Sequence, residues 1–563
     1  MTIALIAATA AGRSAAHRLA QAWPEETRVY DERAKTAVEQ AWRDCDALVC
    51  FLAVGATVRL VAPLLADKHT DPAVVCVDES AQHAVALLGG HGAGANELAT
   101  RVADVLGATP VITTATDAAT VPGLDMLGWP VEGATAAVGR AMLDGEPVRL
   151  ECDATWPLPA FPPNVSVGGR LPDDGTHRVV ITDTDIAADD GHTVVLRPPS
   201  LVVGVGASKG APADEVADLV QRALRESGLS PSSVCALATV DAKRDEPGVV
   251  ATAERYGWAL HTYPAERLAT VEVPNPSDAA QRAVGTPSVA EASALVGAAE
   301  LVVQKRKSAM ATVAIARVRP RGRLAVVGIG PGARDLLPQK ATDELRRASV
   351  VVGLDQYIDQ VRDLLRPGTS IRATGLGDEE ARARSAVDAA AAGNAVALLG
   401  SGDAGVYAMA SPALDLAGDD IDVTAVPGIT ANLAASALLG APLGHDHAVV
   451  SLSDLNTPWA AIERRVQAAA EADYVVTFYN PRSAGRHWQL GKAVGLLAEH
   501  RPPHTPVGVV RHATRAEEHV ELTTLADFDE TTVDMACLVI VGSTNSRIRS
   551  GRMVTPRGYR WSR

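Results

Sequence analysis

Short apolar runs recur along the chain, separated by stretches rich in Ala, Leu and Arg. Near the start they read TIALIAA, ALVCFLAV, AVVCVDE and PVITTAT. This alternation predicts β-α-β units on a mainly parallel sheet over residues 1–140. The texture changes over 141–200. Prolines crowd ATWPLPAFPPN there, and HRVVITDTD and HTVVLRP read as short strands of a connecting module. LVVGVGASKGAP opens another α/β block over 201–318, and RPRGR (319–323) reads as a basic linker. From Leu324 to residue 548 a third block has strand starts at LAVVGIG, SVVVG, AVALLGSG, DVTAVPG, YVVTFYNP, PVGVVRHA and ACLVIVGS. The basic tail, 549–563, is expected to fray.

The polar positions with special chemistry in the third block fall at strand ends. LAVVGIGPGARDLL contains Gly328-x-Gly330-x-x-Ala333, which fits a dinucleotide-binding turn, and Asp355 follows the next apolar run. Pro331 argues against that fit, because it removes an amide donor and stiffens the loop where a pyrophosphate needs N–H groups. Three further turns follow strands: LLGSGDAGVY (398–407), VPGITAN (426–432) and TFYNP (477–481). One glycine turn is weak evidence, whereas four special strand-end turns point to a ligand beyond the carboxyl ends of an open α/β sheet.

Composition narrows the partners. A chain of 563 residues with 47% hydrophobic positions can bury several cores, since one core rarely exceeds roughly 250–300 residues. A formal net charge of −15 disfavours nucleic acid and anionic membrane as main partners, and 4% aromatics leaves little for base stacking. Six scattered cysteines show no metal-ligand spacing, so no protein-bound metal is expected. No apolar run approaches the roughly 20 residues needed to span a bilayer, and a cytoplasmic protein is expected.

GIGPGARDLL, GSGDAGVY, VPGITA, SLSDLNTPW and FYNP together resemble the tetrapyrrole (precorrin) methylases over essentially all of 324–548. GHDHAVVSLSDLNTPW is similar, more narrowly, to precorrin-3B C(17)-methyltransferases. The resemblance implies S-adenosylmethionine as methyl donor, a tetrapyrrole substrate and a homodimer formed through this half. It implies that Pro331 lines the substrate side of a cleft and that Gly402, Asp403 and Val406 hold the methionine part. Thr430 and Ala431 would flank the ligand, with Tyr479, Asn480 and Ala513 near the adenosine. Ala404 departs from the family's usual proline after the aspartate. A sulfonium methyl is already activated, so the enzyme mainly aligns donor and acceptor. Such enzymes also contract the ring, which needs a base near a hydroxyl. Asp454 and His512 are the candidates, with a helix cap near Thr457 as the other reading of Asp454.

In the N-terminal half, LLGGHGAGANELA surrounds His91 with glycines ahead of a helix start at Asn96 and Glu97, a nest able to offer amides to an anion. With VGVGASKGAP, ATVDAKRDEPGV, VGTPSVAEASAL and VQKRKSAMATVAIA it is similar to cobalt-precorrin-5A hydrolases. Ala207, Ser208 and Lys209 replace that family's Cys-Arg-Arg. The resemblance implies lactone opening with release of acetaldehyde. By chemistry, His91, Glu97 and Asp78 are candidates to activate water, and Arg59, Lys68, Lys209, Lys243 and Lys305 to hold substrate carboxylates. The expected fold class is therefore α/β and multidomain: N-terminal α/β hydrolase-like blocks, then a tetrapyrrole methylase unit of two α/β subdomains. The alternatives are a nicotinamide oxidoreductase built on the Gly328 turn, a methylase for another precorrin, and an N-terminal half that binds tetrapyrrole without catalysis.

Overall fold

The computed structural model describes residues 2–67, 70–90, 93–113, 121–168, 176–298, 300–483 and 485–558. The chain divides into two compact units. One holds everything up to Ala154 together with Phe161–Pro320; the other holds Thr155–Ala160 and everything from Arg321 onward.

The first unit contains three sheets. The N-terminal sheet has the strand order Thr27–Tyr30, Ile3–Ala7, Ala47–Phe51, Ala73–Val77, His83–Leu88, Thr109–Val111. Its central strands Ala47–Phe51 and Ala73–Val77 are buried at every position, as expected of apolar runs covered on both faces. His83–Leu88 runs antiparallel to Ala73–Val77, an inversion that the apolar pattern did not signal. The middle sheet, ordered Val131–Gly133, Thr193–Leu196, His177–Ile181, Val148–Cys152, Val165–Val167, takes in a strand from before residue 141. The third is ordered Ala259–Tyr263, Val234–Val240, Leu201–Ala207, Ala311–Arg317, Glu300–Lys307. Helix Ala213–Glu226 packs on it through Val216, Leu219, Val220, Ala223 and Leu224, with Asp214 and Glu215 in its first turn, where acids complement the helix dipole.

Buried ion pairs tie the middle and third sheets. Asp183 is 6% exposed. It accepts from Nε and Nη2 of Arg317 at 2.7 and 2.9 Å and from Ser200 Oγ at 2.7 Å. Such a fork of two parallel bonds fixes orientation as well as charge.

The second unit carries two five-stranded sheets. The first is fully parallel, ordered Ser370–Thr374, Val350–Leu354, Ala395–Gly400, Gly322–Gly328, Ile421–Val426. Its strand begins at Gly322, so the last two residues of the expected linker belong to the sheet, and Arg323 pairs with the buried Glu344. The second sheet is ordered His447–Ser451, Val475–Tyr479, Cys537–Val541, Pro506–Arg511, His519–Thr524. Cys537–Val541 runs antiparallel to both neighbours. His447–Ser451, Val475–Tyr479 and Pro506–Arg511 therefore point the same way.

The basic tail does not fray over its described part. Arg547–Arg549 and Arg552–Val554 form a hairpin whose two turn residues, Ser550 and Gly551, have φ of 49° and 72°. Positive φ at both positions is the geometry that suits a two-residue hairpin, and a Ser-Gly pair can supply it. Arg552–Val554 also pairs with Gly440–Ala441, and Met553 is fully buried against Ala435, Leu439 and Ile540. The alternation of arginine with apolar residues, obscured by charge, is a strand pattern. Met553→Ala should cost about 2–5 kcal/mol in the urea transition that reports the second unit. An unchanged midpoint would show that the hairpin does not pack there.

Candidate functional site

The parallel sheet of the second unit brings three glycine turns into backbone contact. Ile329 N donates to Gly400 O at 3.0 Å; Gly330 N donates to Gly402 O at 3.1 Å, and Gly402 N returns a bond to Gly330 O at 2.8 Å. A Cβ on Gly428 would lie 2.1 Å from Gly402 O, and one on Gly328 would lie 2.8 Å from the same atom. The glycines at these places are thus required by the approach of backbone to backbone. The amides that a dinucleotide pyrophosphate would need are engaged by the neighbouring turn, and Pro331 has none. Asp355 is exposed at the start of helix Asp355–Val361. The Gly328 turn does not offer a nicotinamide dinucleotide its usual donors.

Asp403 joins the second and third turns. Its Oδ1 accepts from Gly405 N at 2.8 Å and its Oδ2 from Gly428 N at 3.0 Å. Ala404, where a proline was the expectation, is 1% exposed, and its carbonyl accepts from Ala410 N at 2.9 Å, so a small apolar residue fills the position. Val406 is half-buried in the same turn.

The second sheet presents the carboxyl ends of its three co-directional strands at one edge. Tyr479 Oη lies 2.5 Å from Thr430 Oγ1 and accepts from Asn432 N at 2.9 Å. Burial pushes its hydroxyl pKa above the usual value. Its ring lies 5.3 Å from that of Tyr407, whose hydroxyl donates to Val449 O at 3.0 Å. Ala431, Tyr479 and Ala513 share one apolar cluster with Leu438 and Leu443. Asn480 Nδ2 donates to Ser451 Oγ at 3.0 Å. Arg486, 6% exposed, donates to Asn480 O at 2.8 Å, and burial lowers its pKa.

Asp454 accepts from the buried Gln489 Nε2 at 2.9 Å. It caps no helix, since helix Trp459–Glu471 begins after Pro458 with no side-chain cap. His512 follows strand Pro506–Arg511, with Nε2 3.6 Å from Glu517 Oε2. Asp454 and His512 thus share an edge with Tyr479 and Asn480.

The turn after His512 crosses to the parallel sheet. Ala333 N donates to Thr514 Oγ1 at 3.2 Å, and Arg515 Nε donates to Pro331 O at 3.0 Å. Arg515 Nη2 lies 3.5 Å from Ser401 Oγ. Four of the seven described non-glycine residues with positive φ lie in these turns: Tyr407 at 50°, Asn480 at 49°, His512 at 47° and Thr514 at 64°. Such backbone costs energy and persists where the surroundings fix it, as at ligand sites. The sequence reading took VVRHATR for its histidine and missed Arg515, because only the fold brings that arginine to Pro331.

The first unit's candidates scatter. His91 and Lys68 lie outside the described residues. Glu97 is exposed in helix Ala95–Leu106. The amides of Ala95 and Asn96 donate to Gly89 O and Gly90 O at 3.1 and 3.0 Å, so these first helical amides already have acceptors. Because His83–Leu88 is inverted, that turn and Asp78 sit at opposite ends of strand Ala73–Val77. Asp78 is engaged by Ser80 and His83 N, which hold its carboxyl below the usual range against the opposing effect of desolvation. Arg59 donates to Gly55 O in its own helix.

Lys209, Lys243 and Lys305 lie at one edge of the third sheet. Lys209 is exposed, Lys243 pairs with Glu246 at 2.9 Å, and Lys305 Nζ donates to Asn275 O. Glu246 also accepts from Gly210 N at 2.6 Å. The glycines of VGVG have a packing reason. A Cβ on Gly204 would lie 1.9 Å from Ala290 O of helix Val289–Leu295. Among the described residues no group of three or more His, Cys, Asp or Glu side chains is placed to hold a metal, and no helix is long and apolar enough to cross a membrane.

Asp403→Ala leaves two turn amides without their acceptor, and should cost the second unit about 1–3 kcal/mol. Asp403→Asn, which keeps one carbonyl oxygen, should cost less. Urea unfolding followed through the second unit's transition checks this ordering; equal stability of all three proteins would show that the carboxylate does not hold the turns.

The geometry agrees with what the chain is similar to. Residues 323–529 match the model of the Tetrapyrrole (Corrin/Porphyrin) Methylases. Residues 36–117 match Cobalamin synthesis G N-terminal, and 201–316 match Cobalamin synthesis G C-terminus. The "Probable cobalt-factor III C(17)-methyltransferase" of Salmonella typhimurium is 47% identical over 239 residues, 42% of this chain and 99% of that protein. The "Precorrin-3B C(17)-methyltransferase" of Sinorhizobium sp is 39% identical over 249 residues, 42% of this chain and 97% of that protein. Other curated relatives are longer, and the chain spans about half their length. The crystal structure of the methyltransferase CobJ matches with 35% identity and a TM-score of 0.40, over 42% of this chain and 100% of its own. The chain belongs to the tetrapyrrole (corrin/porphyrin) methylases, and carries ahead of that domain the N- and C-terminal regions of cobalamin synthesis G.

Proposed function

We propose that the chain is a bifunctional enzyme of corrin-ring formation for cobalamin. The methylase half, 324–548 with the hairpin that follows, methylates precorrin-3B or its cobalt-bearing counterpart at C(17) and promotes ring contraction. The half up to residue 318 opens the lactone of cobalt-precorrin-5A and releases acetaldehyde. The observation that carries the methylase reading is the pair of facing strand-end edges, bridged by Tyr479–Thr430 and Arg515–Pro331. That stretch is 47% identical to the Salmonella C(17)-methyltransferase.

S-adenosylmethionine, the donor used by this family, supplies a methyl group already activated on sulfonium. The residues present fit it. Ala431, Tyr479 and Ala513 form an apolar wall suited to an adenine, with Asn480 beside it. Gly402, Asp403 and Val406 form a rigid polar turn for the methionine end. Thr430 and Ala431 open helix Ala431–Leu439 between the two. The two sheets would align donor and acceptor when both are bound; such alignment can lower a barrier by roughly 7–11 kcal/mol. Pro331 fixes the wall on the acceptor side. Asp454 and His512, at the second sheet's edge, are the groups positioned to take a proton from a hydroxyl during contraction.

The hydrolase reading rests on the two cobalamin synthesis G matches. Lys209, Lys243 and Lys305 at one sheet edge suit a substrate with many carboxylates, although Lys243 is already paired. His91 and Glu97 stay as candidates for activating water. A homodimer formed through the methylase half and a cytoplasmic location complete the proposal.

Incubating the full chain with a trimethylated precursor and S-adenosylmethionine should give a product with one added methyl and a contracted ring by mass spectrometry. Calorimetry should show binding of S-adenosylhomocysteine and none of NAD; the reverse result would overturn the methylase assignment. The full chain should also release acetaldehyde from lactone substrate. Binding of that substrate without acetaldehyde release would make the first half a tetrapyrrole-binding module.

A further inference from the structure

We infer that Arg515 is a specificity residue of the methylase site, which receives a carboxylate of the substrate's acetate or propionate side chains. The inference rests on the methylase reading above and adds a residue to it.

A guanidinium has five N–H donors on two edges able to grip a carboxylate. In Arg515 the side edge is engaged: Nε donates to Pro331 O at 3.0 Å and Nη2 faces Ser401 Oγ at 3.5 Å. These contacts leave the outer fork, one N–H from each Nη, which is the planar pair that matches a carboxylate. Among the described residues no carboxylate lies within 4.0 Å of the Arg515 guanidinium. Its acidic neighbours face elsewhere, Glu517 toward His512 and Glu518 toward Thr514 N. Of the other cleft-edge arginines, Arg511 pairs with Asp534, while Arg486 is buried on Asn480 O. Arg515 is therefore a half-buried cation held by neutral acceptors in a chain of formal charge −15.

The position is built. Gly332, at φ 147°, lets the arginine stem lie against the first turn, where a Cβ would sit 2.6 Å from Arg515 Cγ. Thr514, at φ 64°, anchors the same turn to Ala333 N. Pro331 O belongs to the turn on the acceptor side of the cleft, and Ser401 to the adjoining turn that holds the methionine end, so Arg515 stands where the two meet. A carboxylate on the outer fork would fix the rotation of the macrocycle about its own axis, which decides the carbon that meets the donor. Selectivity among ring positions that differ little in reactivity requires such an anchor.

The test compares the full-length protein with Arg515→Gln and Arg515→Lys in steady-state methylation of the trimethylated tetrapyrrole. Each protein is also titrated with S-adenosylhomocysteine and melted. Arg515→Gln should raise KM for the tetrapyrrole about 10–100-fold, as expected for loss of one charge-assisted fork. Its S-adenosylhomocysteine affinity should stay close to the parent's, and its melting temperature should fall by no more than the few degrees that one lost hydrogen bond is worth. Arg515→Lys, which keeps the charge without the fork, should recover part of the KM. An unchanged KM in Arg515→Gln overturns the inference. A fall in S-adenosylhomocysteine affinity or melting temperature with no selective KM change also overturns it, and leaves Arg515 as a strut between turns. If the parent protein methylates no tetrapyrrole, the functional reading itself fails, and the parent control reports that separately.

Discussion

Three backbones meet where no side chain fits. Gly328 ends one strand of the parallel sheet and Gly402 and Gly428 follow two others, and a Cβ on the first or third would stand 2.8 or 2.1 Å from Gly402 O. Everything else at the site depends on that contact. It lets the first and second turns exchange hydrogen bonds, and lets Asp403 reach Gly428 N. It also carries Pro331 and Ser401 to where Arg515 meets them. A side chain at Gly328 or Gly428 would separate the turns, and the polar groups now paired among them would lose their partners.

Opposition between two sheets then makes the site chemical. The parallel sheet contributes glycines, a proline and one carboxylate; the mixed sheet contributes Tyr479, Asn480, His512 and Arg515. Most bridging bonds run from side chains of the mixed sheet's turns to the parallel sheet's turns or to Thr430 beside them, while Tyr407 Oη to Val449 O runs the other way. Three of the four left-handed non-glycine residues at the site, Asn480, His512 and Thr514, lie in the mixed sheet's turns, and Tyr407 alone lies on the parallel side. Strain is thus concentrated on the side that supplies functional side chains, while the other side is relaxed by glycine.

The first unit follows a different logic. Its glycine-rich motifs are explained mainly by packing: Gly204 and Gly206 admit helix Val289–Leu295, and Gly89 abuts Ala73. Several of its charged residues are paired with one another, as in Asp183 with Arg317 and Lys243 with Glu246. A glycine-rich turn in a sequence therefore carries ligand chemistry only when the neighbouring strand ends also bring unengaged polar groups.

The sequence by itself determined the α/β class, seven of the ten strands in the second unit's two five-stranded sheets and the four strand-end turns, because apolar periodicity and glycine or proline chemistry act locally; Ser370–Thr374, His447–Ser451 and His519–Thr524 went unread. It also placed Asp403, Tyr479 and Asn480 on those turns. The direction of His83–Leu88 was not legible, since an apolar run reads the same either way. The tail hairpin was masked by its arginines, whose charge hid the alternation around Met553. The bond from Gly428 N to Asp403 Oδ2, the split between Asp78 and the Gly89 turn, and the meeting of Arg515 with Pro331 were decided only by tertiary structure. Each joins residues from 25 to 184 positions apart, or sets two neighbours at opposite ends of one strand, through strand order and direction. No local pattern encodes that order; it follows from how the sheets close over their shared cores.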